Sequence, residues 1–214
     1  MINRIQAAAD CLAAAKLLYS RHLVNAYEGN VSVRMGDTMF ITPTQICKEL
    51  LTPEDLVEVD IESGAVIRAG KGRKPSSELK LHLCCYRNRG DAQAVAHAHP
   101  PYATSFALRC EAIETRGYPE LMQRYGRVPV CRYGLPSTDA VNTDVPEVLK
   151  TYDAFLLANH GLAAVSTTAL DAAYKLEGIE TIAKVLHLAR ERGGECPLSD
   201  PDVAEIERLR LSKR

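Results

Sequence analysis

The chain has 214 residues, of which 46% are hydrophobic, so it carries enough apolar side chains to build a substantial core. Its 26 Lys and Arg residues nearly balance 27 Asp and Glu residues, which argues against a nucleic-acid-binding surface because such surfaces show a basic excess. No apolar run reaches the length of a membrane span, and the N-terminus lacks the basic-then-apolar order of a signal peptide. Seven scattered cysteines without a C-x-x-C pair predict reduced thiols in a cytoplasmic protein.

Hydrophobic periodicity and turn residues predict a mixture of helices and strands along the whole chain. No repeat, low-complexity stretch or linker divides residues 1–214, which predicts a single domain. The predicted elements, in chain order, are a helix over 2–20, a strand within 27–34, a strand over 38–41, a capped turn at 52–55, strands over 56–60 and 65–67, a helix over 78–88, a strand over 94–99, a helix over 102–108, an irregular segment over 111–127, a strand over 128–130, a loop over 133–142, a helix over 145–152, a strand over 154–158, a helix from 167 or 168 to about 192, and a short helix after Ser199.

Two histidines at the end of a predicted strand are the strongest chemical signal in the chain. The apolar residues 94–96 lead into His97-Ala98-His99, and prolines 100–101 stop the strand. Residues two apart on a strand point the same way, so both imidazoles project from one rigid end. Neutral imidazole is the commonest protein ligand for divalent transition metals. His160, which ends another apolar strand, is the candidate third ligand. The alternative is that these histidines bond only to neighbouring protein groups.

A second group of polar residues opens the helix predicted from residue 78. A basic, glycine-containing loop over 68–75 leads into Ser76 and Ser77. Serines at a helix start cap free backbone N–H groups, and that end also favours phosphate. Glu78 in the first turn either complements the helix dipole or faces the metal site.

Five motifs occur in a characteristic order and spacing between about Ala8 and Leu188. They are Gly29-Asn30-Val31-Ser32, Thr42-Pro43-Thr44, Pro75-Ser76-Ser77-Glu78, His97-x-His99 and Asn159-His160-Gly161. The ordered set resembles the class II aldolase/adducin family, most closely its L-fuculose-1-phosphate aldolase-like members. The resemblance implies an α/β protein with a three-layer α/β/α fold and a central, mostly antiparallel sheet. It also implies a homotetramer with active sites at subunit interfaces.

The resemblance also assigns roles to individual residues. His97, His99 and His160 match the zinc ligands of the family, with manganese or cobalt as alternatives for the same ligands. Glu78 matches a carboxylate that either ligates the metal or acts as acid/base. Tyr118 matches a tyrosine that reaches into a neighbouring subunit's site and protonates the aldehyde oxygen in the synthetic direction. The residues that match the substrate-phosphate pocket are Asn30, Thr44, Ser76 and Ser77.

These roles predict a zinc-dependent class II aldolase of carbohydrate metabolism. It would cleave a ketose 1-phosphate into dihydroxyacetone phosphate and an aldehyde, with L-fuculose or 5-deoxy/methylthio-pentulose 1-phosphates as the candidate type. Two departures bear on the substrate. Gln45 follows the Thr-Pro-Thr motif where some family aldolases have glycine, and the tail 208–214 lacks the tyrosine that closes over the sugar in them.

Other activities of the same family are the alternatives. Pentulose-phosphate 4-epimerases usually have Asp where Glu78 stands, whereas sugar-phosphate dehydratases often have Glu. Acid-sugar-phosphate decarboxylases tend to lack the paired serines. A metal-free, adducin-like interaction module would not need the three histidines and Glu78.

Overall fold

The computed structural model describes residues 2–212, which contain the mixture of helices and strands that the sequence predicts. Local signals set several boundaries: the Asn3 side chain accepts a hydrogen bond from the backbone of Gln6 and begins the first helix. The helices are α1 (Arg4–Ser20), α2 (Leu79–Asn88), α3 (Pro101–Leu108), α4 (Pro119–Arg124), α5 (Val145–Val148), α6 (Ala169–Glu191) and α7 (Asp200–Leu211). The strands are β1 (Asn30–Met35), β2 (Thr38–Ile41), β3 (Val57–Asp60), β4 (Val66–Ala69), β5 (Ala94–Ala98), β6 (Val130–Cys131), β7 (Ala154–Leu157) and β8 (Gly161–Ser166).

The eight strands form one sheet in the order β4-β3-β2-β1-β5-β8-β7-β6. Every described neighbouring pair is antiparallel except β6–β7, which is parallel. The register places Asn30 of β1 opposite His97 of β5, and His97 opposite Ala163 of β8. The ends of three strands therefore meet near the middle of the sheet, where the predicted site residues lie.

Helices cover both faces of the sheet, which confirms the predicted α/β fold with a mostly antiparallel sheet. The helices α1, α3 and α6 pack on one face, and α2 and α5 pack on the other. Strand β5 serves both layers because its side chains alternate: Ala94, Ala96 and Ala98 join the first core, and Val95 joins the second. His97 consequently shares the face of Val95, toward α2.

Three local predictions were wrong. The segment 111–127 contains α4, which begins with Pro119, a residue well suited to a first helical position. Strand β8 was not predicted, because a strand buried on both faces shows no alternation of polar and apolar residues. The predicted helix over 145–152 is shorter, with α5 ending at Val148. Within residues 2–212, no helix is both long enough and apolar enough to cross a membrane.

Candidate metal centre

The three predicted histidines come together where β5 ends and β8 begins. The antiparallel pairing of Ala98 with Leu162 brings the residue after β5, His99, beside the turn before β8. His160 lies in that turn, and its backbone N–H donates to the Leu157 carbonyl at 3.0 Å. One ring nitrogen of each histidine lies within 4.8 Å of those of the other two.

The hydrogen bonds of the rings leave nitrogen lone pairs facing inward. Nδ1 of His97 lies 3.0 Å from the Leu162 carbonyl, which can only accept, so Nδ1 carries the proton and Nε2 is free. Nδ1 of His99 lies 3.2 Å from a carboxylate oxygen of Glu28, which likewise favours a proton on Nδ1. The two Nε2 atoms are 3.1 Å apart. Two lone pairs this close repel each other. A cation bound by both nitrogens would remove this repulsion.

Burial favours the neutral, metal-binding form of two of the three histidines. Burial, with the neighbouring His99 and His160, lowers the pKa of His97 well below its ordinary value. Burial and the nearby His99 lower the pKa of His160 to about 4. Nδ1 of His160 is buried and has no hydrogen-bond partner within residues 2–212. Metal ligands must be deprotonated, so the buried rings of His97 and His160, the second with an unpaired nitrogen, fit a divalent cation.

Two glycines permit close approaches at the cluster, Gly161 against the rings and Gly29 beside them. A Cβ on Gly161 would lie 2.5 Å from Cδ2 of His99 and 2.6 Å from the Ala98 carbonyl oxygen. Gly29 has φ of +71°, and a Cβ there would lie 2.2 Å from a Val24 methyl carbon. Glycine permits the close approach at both positions and the left-handed backbone at Gly29.

Glu78 lies beside the cluster but outside the group of ligand atoms that fall within 4.8 Å of one another. Its Oε1 accepts a hydrogen bond from the Ser137 hydroxyl at 3.2 Å, and its Oε2 is buried without a partner among residues 2–212. Burial raises the pKa of this carboxyl, against the lowering effects of Ser137 and His99. A carboxyl group with one unpaired oxygen and a raised pKa suits proton transfer.

The backbone brings the predicted phosphate-binding residues to one region. The Thr42 side chain accepts from the N–H of Val31, which joins the Thr-Pro-Thr loop to the strand that begins at Asn30. Ser76 donates its backbone N–H to the Thr42 carbonyl at 3.2 Å, and Thr44 donates its own to the Lys74 carbonyl at 3.1 Å. Asn30, Thr44 and Ser76 thus lie on adjacent segments.

The two serines differ in their contacts. The Ser76 side chain is buried and accepts from the Glu78 N–H, so it holds the start of α2. Ser77 is exposed, and its hydroxyl makes no hydrogen bond within residues 2–212. Ser77 is therefore available to an external ligand, whereas Ser76 is partly engaged.

Tyr118 lies away from the histidines of its own chain. It precedes α4 and packs, half-buried, against the core layer formed by α1, α3 and α6. No hydrogen bond or ring contact joins it to the three histidines among residues 2–212. Its predicted role in a neighbouring subunit's site stays a prediction.

Three residues near the centre were not assigned a role from the sequence. Glu28 contacts His99, Ser137 contacts Glu78, and His82 hydrogen-bonds to Asn30. Ser137 lies in a segment predicted only as a loop, and no local pattern links it to Glu78. For Glu28, its position next to the Gly-Asn motif is the one signal available.

Comparison with known proteins gives the family. Residues 9–187 match the Class II Aldolase and Adducin N-terminal domain. This chain belongs to the class II aldolase and adducin family. A 3-oxo-tetronate 4-phosphate decarboxylase of Pectobacterium atrosepticum is 33% identical over 208 residues, covering 94% of this chain and 92% of its own.

Relatives named as aldolases are similar to this chain to a comparable degree. An L-fuculose phosphate aldolase of Methanococcus vannielii is 34% identical over 175 residues, covering 80% of this chain and 91% of its own. A solved structure of an L-fuculose 1-phosphate aldolase superimposes with a TM-score of 0.85 at 30% identity, covering 95% of each chain. Family members with this fold thus carry the names of two different carbon–carbon bond-cleaving activities.

Proposed function

We propose that this chain is a metal-dependent class II aldolase that cleaves a ketose 1-phosphate into dihydroxyacetone phosphate and an aldehyde. The observation that carries the proposal is the convergence of three imidazoles, with one ring nitrogen of each within 4.8 Å of those of the other two. A buried carboxyl group with an unpaired oxygen lies next to them. A structural module of the same fold would have no need for either feature.

His97, His99 and His160 would hold the metal, with Zn²⁺ as the expected ion and Mn²⁺ or Co²⁺ as alternatives. When bound, the metal supplies a Lewis acid for the negative charge that develops on the substrate oxygens during cleavage. Glu78 is the candidate fourth ligand in the absence of substrate, since its Oε2 lacks a protein partner within residues 2–212.

The protein groups then move two protons. Breaking the C3–C4 bond requires removal of the proton on the C4 hydroxyl, which becomes the aldehyde oxygen. Tyr118 of a neighbouring subunit is the candidate acceptor of that proton. The electron pair of the broken bond stays on C3, and Glu78 delivers a proton there to complete dihydroxyacetone phosphate. The raised pKa of Glu78 favours the protonated form that this step needs.

Remote binding of the phosphate would orient the reacting carbons. The candidate contacts are Asn30, Thr44, Ser76 and Ser77, which lie on adjacent segments beside the centre. Holding a non-reacting group in this way lowers the entropic cost of reaching the reactive geometry. The role of Tyr118 requires an assembly, and we infer a homotetramer with sites at subunit interfaces, located in the cytoplasm.

Decarboxylation of a 3-oxo acid phosphate is the second candidate, favoured by the 33% identity over 94% of this chain to a protein of that name. Loss of carbon dioxide from a 3-oxo acid leaves an electron pair next to a carbonyl, as cleavage of an aldol does. The same metal and the same proton donor would therefore serve either reaction.

The test is a substrate panel with two readouts, dihydroxyacetone phosphate and carbon dioxide. The panel contains L-fuculose, L-rhamnulose, 5-deoxyribulose and methylthioribulose 1-phosphates together with 3-oxo-tetronate 4-phosphate. The zinc-loaded protein is compared with His97→Ala and with His187→Ala, whose histidine lies on α6 outside the cluster. Release of dihydroxyacetone phosphate from a ketose 1-phosphate, lost in His97→Ala but kept in His187→Ala, supports the aldolase. Decarboxylation of 3-oxo-tetronate 4-phosphate also leaves dihydroxyacetone phosphate, so release of carbon dioxide from that compound without cleavage of any ketose 1-phosphate favours the decarboxylase. Water loss or isomerisation favours a dehydratase or epimerase.

A further inference from the structure

A chain of buried hydrogen bonds runs under β1 from α2 to the edge of the metal centre. The Tyr86 hydroxyl lies 2.8 Å from Oγ of Ser32, which lies 2.6 Å from Nδ1 of His82. Nε2 of His82 lies 2.5 Å from Oδ1 of Asn30. His82 and Ser32 are fully buried, and Asn30 is 5% exposed. The chain therefore connects a core tyrosine to a candidate phosphate-binding residue.

The position of the ring hydrogen of His82 sets the direction of the hydrogen bonds on both sides of it. The ring is fully buried, which disfavours its charged form, so it carries a hydrogen on only one nitrogen. Hydrogen bonds along the chain then run in one direction, because a Ser32 oxygen that accepted from both Tyr86 and His82 would leave its own buried hydrogen without an acceptor among residues 2–212. Either the tyrosine end donates and Asn30 accepts, or Asn30 donates and the tyrosine end accepts.

The tyrosine end decides between these directions. Tyr86 is 2% exposed, and Ser32 is the one hydrogen-bond partner of its hydroxyl within residues 2–212. If Ser32 donated to Tyr86, the phenolic hydrogen would be buried without an acceptor, which is costly. Tyr86 therefore donates to Ser32, Ser32 donates to Nδ1 of His82, and the Nε2–H of His82 donates to Oδ1 of Asn30.

This direction fixes the orientation of the Asn30 carboxamide. With its oxygen held by His82, its NH₂ group faces away from α2 and makes no hydrogen bond within residues 2–212. Asn30 pairs with His97 in the sheet, so this NH₂ group lies at the border of the histidine cluster.

We propose that Tyr86, Ser32 and His82 are positioning residues that hold the Asn30 side chain with its N–H donors toward the anionic group of the substrate. The proposal rests on the proposed function, because it takes the phosphate as that group. The reversed carboxamide would turn its oxygen toward the phosphate and repel it. The buried hydrogen-bond chain thus determines that Asn30 presents its N–H donors, and not its oxygen, to the phosphate.

The first test is the tautomer of His82 in the intact, zinc-loaded protein. Long-range ¹H–¹⁵N NMR spectra distinguish Nδ1–H from Nε2–H rings, and the signal missing from His82→Gln identifies His82. We expect the Nε2–H tautomer at neutral pH. An Nδ1–H tautomer would reverse the chain and overturn the proposal, whether or not the protein is an aldolase.

The second test measures binding of inorganic phosphate to three variants by calorimetry. His82→Phe removes the donor to Asn30, and we expect phosphate binding to weaken about tenfold, the size of one charge-assisted hydrogen bond. His82→Gln offers an amide N–H and a carbonyl with spacing similar to that of the two ring nitrogens, and we expect it to bind within about threefold of the wild type. Asn30→Asp should bind more weakly than His82→Phe, because it places a negative charge at the pocket.

The outcomes separate the proposal from the reaction on which it rests. Zinc affinity and the circular dichroism spectrum should be unchanged in His82→Gln and should report any misfolding of His82→Phe. If His82→Phe folds and binds phosphate as the wild type does, the positioning role is refuted. If the wild type cleaves no substrate but binds phosphate in a manner that depends on Asn30 and His82, the aldolase fails and the positioning role stands.

Discussion

The histidine centre and the group of side chains around Asp55, which we call the Asp55 cluster, both bury ionisable groups. Only the Asp55 cluster provides protein partners for its buried ionisable group. Asp55 accepts from the N–H and the hydroxyl of Thr52 at 3.0 and 2.8 Å. It also accepts from Lys71 at 3.2 Å and from Arg73 at 3.0 Å. Both carboxylate oxygens are occupied, and the side chain is 4% exposed.

At the histidine centre, by contrast, several buried atoms lack a protein partner. Nδ1 of His160 and Oε2 of Glu78 make no hydrogen bond within residues 2–212, and two imidazole nitrogens face each other at 3.1 Å. Buried polar groups are normally paired, because an unpaired one costs free energy. A saturated cluster therefore stabilises the fold, and an unsaturated one is built for something outside the chain.

The largest expected effect is the loss of the metal in His97→Ala. Removing one of three imidazoles should lower zinc affinity at least about 100-fold, beyond the 10- to 100-fold typical of losing a residue that only supports a ligand. Competition with a chromogenic chelator measures this, and His187→Ala serves as the control because that side chain lies outside the cluster. Unchanged zinc affinity in His97→Ala would remove the basis for the metal centre.

The Asp55 cluster should show the opposite behaviour. Asp55→Asn keeps the shape of the side chain but removes the charge that Lys71 and Arg73 share, and it should cost about 2 kcal/mol in the free energy of unfolding. Urea denaturation of the zinc-loaded protein measures this cost. Asp37→Asn, at an exposed turn, should change it by less than about 0.5 kcal/mol. Zinc affinity should be unaffected by either variant, and a loss of zinc in Asp55→Asn would contradict the separation of the two regions.

Lowering the pH should reduce the stabilisation that Asp55 provides. Burial opposes the ionisation of Asp55, but hydrogen bonds from Thr52, Arg73 and Lys71 outweigh it and lower its pKa to about 2, from an ordinary value of 3.8. Above 3.8 the carboxyl is ionised in both folded and unfolded chains, so its stabilisation is complete. As the pH falls below 3.8 the unfolded chain takes up the proton first, and the stabilisation is lost progressively until the pH passes about 2.

The measurement is the difference in unfolding free energy between the wild type and Asp55→Asn at several pH values. Taking the difference cancels the contribution of the buried histidines, which both proteins share. We expect the gap to shrink by about 1 kcal/mol between about pH 5 and about pH 3. A gap that stays constant over this range would mean that the pKa of Asp55 is not lowered in the folded protein.

The sequence was informative where a residue type and a strand end coincide. His97 and His99 were predicted to share a direction because side chains alternate on a strand, and the structure places their rings together. His160 could be proposed because glycine follows it at the end of an apolar run. The order of the motifs added the fold and the family, which neither periodicity nor composition supplies.

Contacts between distant segments could not be predicted in this way. Strand β8 has both faces buried and so lacks alternation, and its pairing with β5 is what brings His160 to His99. The bond from His82 to Asn30 joins residues 52 positions apart on a helix and a strand. Which face of α2 meets β1 depends on packing of the whole layer, and spacing within α2 does not supply it.

The smallest effect concerns the backbone beside the candidate phosphate pocket, where Gln45 has φ of +57°. The left-handed conformation costs a residue with a Cβ about 1 kcal/mol or more, and glycine escapes this cost but loses more entropy on folding. Gln45→Gly should therefore raise the free energy of unfolding by only about 0.5 kcal/mol.

Gln45→Ala keeps the backbone cost and removes the exposed side chain, so it should not stabilise the protein. Equal stability changes in the two variants would mean that the side chain, and not the backbone, sets the free energy at this position. A gain confined to Gln45→Gly would show that the left-handed backbone beside the candidate phosphate pocket carries a cost in folding free energy.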